Sequence, residues 1–393
     1  MNKPNLIFVR GNGGFSVSQT NIQYLKISHF KSIDSLELRN VNDFSVFAGA
    51  NGSGKSNFFD ALGFVSRFMR HGITDALRWH GGFDNIHYLQ QNEEYARQFE
   101  FEMACTLPTG VPDNLIDTQY KYQLIIHSLD TEPKINEQLF INKEEAIIRN
   151  ESFSIKLPKE LNPFREIVEY SLLSSIPRLP LSALLRNIRI YHISNPFSSP
   201  DQEQSNQDSS VLKSNSHNLA SVLRRLEQDE DLRKTILEWM ETVVPSIQQI
   251  KTSLQNLIGT TILFKEQSTQ FPAHMMSDGT IYALSLLVAV LDTPRYGLTL
   301  IEEPERGLHP QAIFELIDLI REQASHFSPI WMTTHSESVV RQLKLNELWL
   351  VDKKNGRTQM KSAAGGYLQQ QDLAPLGVDE AWLSNLLGGG LPW

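Results

Sequence analysis

One cysteine, Cys105, is all the thiol chemistry that the 393 residues carry. A single thiol excludes an internal disulfide and any zinc site built on several cysteines, and it fits a reducing cytoplasm. Cys105 sits in a strand-like stretch and is expected to be a small buried apolar residue. No run of about 18 apolar residues occurs, so no membrane-spanning helix is predicted. The N-terminus lacks the charged start and apolar core of a secretory signal. Basic charge is also in deficit: 36 Lys and Arg face 45 Asp and Glu, a formal net charge of −9. That balance argues against a general nucleic-acid coat protein and leaves room only for a local basic groove. No internal repeat and no sustained heptad run occur, so no long coiled-coil arm is expected. The remaining composition, 40% hydrophobic and 21% charged, is that of an ordinary globular chain. Its length allows one large domain with an insertion, or two domains.

Against these absences stands one sharply patterned stretch, Gly49-Ala50-Asn51-Gly52-Ser53-Gly54-Lys55-Ser56, which fits G-x-x-x-x-G-K-[ST]. Asp43–Ala48 before it reads as a short apolar strand, and Asn57–Leu62 after it as the start of a helix. Strand, glycine-rich loop and helix together form the context in which the pattern cradles phosphate. Glycines let the backbone wrap closely, and several N–H groups converge on an anion at a helix N-terminus. Gly49, Asn51, Gly52, Ser53, Gly54, Lys55, Ser56 and Asn57 are the candidate ATP-binding residues. Lys55 is expected to reach the β and γ phosphates and Ser56 to hold Mg²⁺.

Residues 1–20 read as a loose, polar lead-in and residues 21–393 as a single head. Within the head, 21–85 form a phosphate-loop lobe, with two strands over Ile22–Leu38 that supply the sheet edge leading to the loop. Residues 86–193 are β-rich, with clean alternation in Phe99–Met103 and Tyr120–Leu124. Residues 194–260 hold a polar loop (Ser194–Asn218) and helices over Asn218–Val243 that end at Pro245. Residues 261–360 alternate strands and helices, which makes the core α/β. Residues 361–393 form a tail.

Leu298–Ile301 is a buried strand that ends in two carboxylates, Glu302 and Glu303. In a phosphate-loop ATPase the first would hold the Mg²⁺ shell, and the second would polarise the attacking water. Thr333-Thr334-His335-Ser336 follows another strand, where an imidazole can contact a γ-phosphate and sense its loss. Met276-Ser277-Asp278-Gly279-Thr280 opens an apolar helix. Ser277 there is an N-cap or an anion contact. Arg67, Arg70 and Arg78 read as solvated surface, and the Tyr and Phe residues of the β region as sheet-face packing.

The order of these motifs, phosphate loop, S-D-G-T, I-E-E-P-E-x-G-L-H-P and T-T-H-S, resembles the ABC-type ATPases of the RecF/SMC/OLD branch. The likeness is greatest to the stand-alone RecF-like AAA family ATPases of bacteria. Leu25–Ile33 looks like the family's opening strands and Leu387–Trp393 like a family tail, so the likeness spans nearly the whole chain. It implies an ABC-type head: a mixed sheet, an antiparallel β region and a helical signature subdomain. It also implies that Ser277, Asp278 and Gly279 stand for the signature that closes over the ATP of a second subunit. Two ATP molecules would then be sandwiched in a two-fold homodimer. Glu303 takes the catalytic carboxylate position, His335 that of the switch histidine, and Glu302 with Ser56 the metal position. Three features depart from the family. The Q-loop glutamine has no clear counterpart, Gln90 and Gln91 being weak candidates. Glu302 stands where many relatives have Asp. No coiled coil is present for tethering DNA. About sixty residues follow His335, too few for an appended nuclease domain, so a nuclease is expected on a separate chain.

The reading that follows is a Mg²⁺-dependent ATPase that regulates a separate effector in bacterial anti-phage defence. A RecF-like DNA repair factor is one alternative, with DNA as a partner. A nucleotide-gated scaffold with little turnover is another. No membrane partner is expected.

Overall fold

Period-two alternation sets the first strands. β1 (Ile22–Phe30) and β2 (Ile33–Val41) pair antiparallel and turn at Lys31-Ser32. The chain then enters β3 (Phe44–Ala48), buried along its whole length. After the phosphate loop come α1 (Lys55–His71) and α2 (Ile73–Trp79). The β region follows: β4 (Gln98–Val111), β5 (Asn114–His127), β6 (Lys134–Ile141), β7 (Glu144–Arg149) and β8 (Phe153–Ile155). Then come α3 (Pro180–Arg186), β9 (Ile188–Tyr191), α4 (Leu219–Leu226), α5 (Glu230–Val243), β10 (Ile247–Gln255), β11 (Gly259–Glu266) and β12 (Thr269–Pro272). The last part runs α6 (Asp278–Leu291), β13 (Leu298–Glu302), α7 (Pro310–Gln323), β14 (Ile330–Thr334), α8 (Glu337–Val340), β15 (Leu348–Lys354), β16 (Arg357–Ser362) and α9 (Val378–Leu383). The structure is a computed structural model. It describes residues 22–88, 97–111, 114–127, 133–150, 153–156, 169–193, 209–255, 259–366, 373 and 376–388.

A six-stranded sheet in the order β16-β15-β3-β14-β13-β9 forms the centre. Its inner strands are parallel and β16 closes one edge antiparallel. Alternation divides its side chains between two cores. Phe47, Leu298, Leu300, Trp331 and Trp349 face one core with α1 and α3. Val46, Ile301, Met332 and Leu350 face the other, which α4 to α9 build. A strand covered on both faces needs apolar side chains at nearly every position, as Leu298–Ile301 has.

A seven-stranded antiparallel sheet, β2-β1-β4-β5-β6-β7-β8, packs on the first core, so α1 lies between two sheets. That position explains its composition. Phe58, Phe59, Leu62, Phe64, Val65 and Phe68 are all fully buried, each contributing about 1.5–3 kcal/mol on transfer from water. Phe58 stacks on Trp331 at 6.2 Å with 14° between the ring planes, and Phe47 tilts against Phe58 at 4.9 Å. The first two strands thus lead to the phosphate loop as expected, but from a sheet separate from the one that holds it. Cys105 lies buried in β4, and burial pushes its thiol up to about 12. Ser194–Gln207, most of the polar loop, lies outside the described residues, as do the lead-in and Gln90 and Gln91. No helix among the described residues is long and apolar enough to cross a membrane.

Candidate functional site

The phosphate loop is tight where the sequence places glycine. Gly54 caps α1 at φ 103°, and a Cβ there would lie 1.9 Å from Thr358 Oγ1. A Cβ on Gly49 would lie 2.2 Å from the Val351 carbonyl oxygen. Only glycine meets both demands, the left-handed φ and the close approach. Thr358, on β16, braces the loop: its hydroxyl donates to the Ser53 carbonyl at 3.1 Å and lies 2.7 Å from Ser32 Oγ. Asn57 Nδ2 donates to the same Ser32 hydroxyl at 2.6 Å. The loop is therefore clamped between the β1–β2 turn and β16, far from it in sequence.

Lys55 is buried, and its ammonium donates to the carbonyls of Gly49 at 2.7 Å and Ala50 at 2.9 Å. Burial lowers its pKa, while the fields of Glu303, Glu305 and Glu302 oppose that shift. A cation folded back onto its own loop, facing three carboxylates, is poised to swing to an anion. The first turn of α1 carries no acidic residue, which keeps the helix N-terminus receptive to negative charge. Ser53 Oγ is buried without a partner. Asn51, Gly52 and Ser56 are exposed at the mouth. The tight glycine cradle, buried ammonium, orphaned hydroxyl and facing carboxylates fit a metal-chelated triphosphate.

The carboxylates come from the end of β13. Glu303 has φ 47°, in the left-handed region that side chains seldom adopt. Two bonds hold it there: its N–H donates to the Thr333 carbonyl at 3.1 Å, and its own carbonyl accepts from Tyr282 Oη at 3.0 Å. Its carboxylate lies 3.1 Å from His335 Nδ1 at the end of β14. Parallel pairing of β13 with β14 and of β14 with β3 thus brings the acid pair, the histidine and the phosphate loop to one sheet edge.

Two residues to which the sequence reading gave no role join this cluster. Glu305, whose side chain is only 8% exposed, accepts from Thr334 Oγ1 at 2.7 Å and from the His335 N–H at 3.4 Å. Burial pushes its carboxyl above the usual range, against the pull of those donors, and its Oε2 has no partner. His192, just past β9, stands 3.0 Å from Glu302. The hydrogen bond to Glu302 raises its pKa despite partial burial.

Ser277, Asp278 and Gly279 lie apart from these contacts. Ser277 is the N-cap of α6: its hydroxyl accepts from the Thr280 N–H at 3.2 Å. Ser277 and Asp278 face solvent, beside the 66% exposed Met275. Gly279 faces the Gly307 carbonyl, where a Cβ would be in van der Waals contact at 3.4 Å. Through this contact and the Tyr282 bond, α6 is coupled to the loop that carries Glu303.

This fold and site define an ABC-type P-loop ATPase head. The chain belongs to the family described as "AAA domain, putative AbiEii toxin, Type IV TA system", whose family model matches residues 44–341. No curated protein matches it in sequence. Among solved structures it is similar to an Smc head bound to the C-winged helix domain of ScpA. That match has a TM-score of 0.55 and 16% identity, and covers 87% of this chain and 97% of that one. It is also similar to a Pyrococcus furiosus Smc head domain with an extended coiled coil, bound to the C-terminal domain of ScpA. There the TM-score is 0.53 and the identity 13%, over 87% and 96% of the two chains. At these identities the likeness is one of fold.

Proposed function

We propose that the chain binds ATP with Mg²⁺ at this edge, dimerises around two ATP molecules, and hydrolyses them to control a separate effector in bacterial defence. The observation that carries the reading is the convergence of Lys55, Glu302, Glu303 and His335 from three parallel strand ends. Lys55 leaves the Gly49 and Ala50 carbonyls and binds the phosphates. Ser56 and Glu302 would hold the cation, which when bound would supply charge neutralisation at the phosphoryl oxygens. Glu303 orients the attacking water and accepts its proton. His335, steadied through its N–H by Glu305, faces the transferred group and reports its departure. Ser277, at the exposed start of α6, meets the nucleotide held by a second copy.

The role in defence is supported by the family description and by the partners of similar heads. The family description names a toxin of a toxin–antitoxin system, a two-component arrangement. The two Smc heads were each captured with a domain of ScpA, so heads of this fold carry partners. The acidic net charge favours a protein partner over DNA and over RecF-like repair.

One experiment tests both layers. Tagged wild-type protein and Lys55→Ala are purified from the native host with ATP and Mg²⁺, and ATP affinity is measured by calorimetry. The variant is expected to lose about a hundredfold or more in affinity, since removal of a buried charged partner costs about 2–5 kcal/mol. The wild type is expected to retain a stoichiometric second protein that the variant loses. Unchanged affinity would sink the phosphate-loop assignment. Bound DNA without a second protein would favour repair over effector control.

A further inference from the structure

We propose that His192 is a direct ligand of the cation at this site, beside Ser56 and Glu302, and that it biases the site toward Mn²⁺ over Mg²⁺. The inference rests on the reading of Glu302 as a cation ligand.

Strand register creates the pair. β9 runs parallel to β13 with Tyr191 opposite Ile301, so the next residues, His192 and Glu302, emerge side by side from the two strand ends. His192 Nδ1 and Glu302 Oε2 are 3.0 Å apart. Two adjacent donors on an octahedral ion, each about 2.1 Å from the metal, stand about 3.0 Å apart. The same spacing now holds a hydrogen bond, so a cation seated between the two atoms would take the place of its proton, which leaves to solvent, with little movement of either side chain. The His192 N–H is fixed by the Ser214 carbonyl at 3.1 Å, so the backbone that carries the imidazole is anchored. Its side chain is 59% exposed while that of Glu302 is 15% exposed. Imidazole nitrogen is a poor partner for Mg²⁺, which prefers an all-oxygen octahedron, and a better one for first-row divalent ions.

The test uses protein labelled with ¹⁵N at histidine alone, loaded with Mn²⁺ and the β,γ-methylene analogue of ATP, whose bridge contains no nitrogen. Pulsed electron paramagnetic resonance should show ¹⁵N coupling to the manganese. His192→Ala and His192→Gln should abolish the coupling, and His335→Ala should keep it. His192→Ala should weaken Mn²⁺ binding in the presence of the analogue by about tenfold, while Mg²⁺ binding moves much less. Absence of ¹⁵N coupling in wild type that binds manganese and nucleotide would overturn the proposal. So would coupling that survives in His192→Ala, or equal losses for both ions, the signature of a residue that only orients Glu302. Failure of the wild type to bind Mn²⁺ and nucleotide at all would overturn the nucleotide-site reading, and this inference with it.

Discussion

Glu303 is held in a left-handed backbone conformation without the freedom of glycine. Such conformations cost about 1–3 kcal/mol and persist only where neighbours over-determine them. Here the Thr333 carbonyl and Tyr282 hydroxyl do so, and the side chain is aimed at His335. Gly54 presents the converse case. Gly54→Ala would meet Thr358 at a φ of 103°. It is expected to cost about 1–3 kcal/mol and to lower ATP affinity by more than tenfold; wild-type affinity by calorimetry would contradict the clamp. A third residue gives a pH signal. His326 Nδ1 lies 2.6 Å from Asp43. That hydrogen bond raises the imidazole pKa above 6.5, partial burial opposes it, and Asp117 adds to it. Because the folded pKa is raised, the stabilisation is complete below about pH 6.5 and fades as pH rises through the folded value. His326→Gln should therefore lower Tm more at about pH 5.5 than at about pH 8.5. The pair is half-exposed, so the gap should be worth at most about 1 kcal/mol; an equal gap at both pH values would contradict it. At this scale the phosphate loop was legible because its residues are contiguous. His192 was not, because strand register recruits it; Glu305 lies in the I-E-E-P-E-x-G-L-H-P segment, but only its burial against Thr334 shows its part.

Among elements, strands and helices with regular apolar spacing were legible: the strand into the loop, the Leu298–Ile301 strand, and α4 and α5. β16 was not. Arg357–Ser362 is polar and buries only Thr358, yet it braces the phosphate loop. Its role comes from pairing with β15, which no local pattern announces. The division of strands among three sheets was equally hidden, since adjacent strands β2 and β3 belong to different ones. The antiparallel sheet has its own anchor. Glu137 on β6 is fully buried, accepting from Tyr122 Oη at 2.6 Å, the Leu172 N–H at 2.9 Å, Arg149 Nη1 at 3.2 Å and the Ser171 hydroxyl. Glu137→Ala removes the acceptor of the buried Tyr122 and Ser171 hydroxyls and the Leu172 N–H, while Arg149 keeps the Tyr170 carbonyl at 2.7 Å. It should cost about 3–5 kcal/mol in denaturant unfolding; a shift below about 1 kcal/mol would show that the hub is not an anchor.

At the scale of the whole molecule, the site is complete on one side only. The phosphate loop, the acids and His335 converge, while Ser277 and Asp278 face solvent at the start of α6. Tyr282 and Gly279 tie that helix to the Glu303 loop. A second copy that presents its α6 would thus both cover the nucleotide and be sensed by the catalytic strand of its own head. Binding would favour the closed dimer, and hydrolysis the open state, a population shift driven by differential affinity. The Glu303→Gln protein tests this most directly, because it keeps the binding groups and removes the carboxylate proposed as the base. Its mass is measured by light scattering with saturating ATP and Mg²⁺, alone and with Ser277 also replaced by Arg. A stable dimer that Ser277→Arg abolishes is the predicted result; a monomer at saturating ATP, or a dimer indifferent to Ser277, would contradict the sandwich.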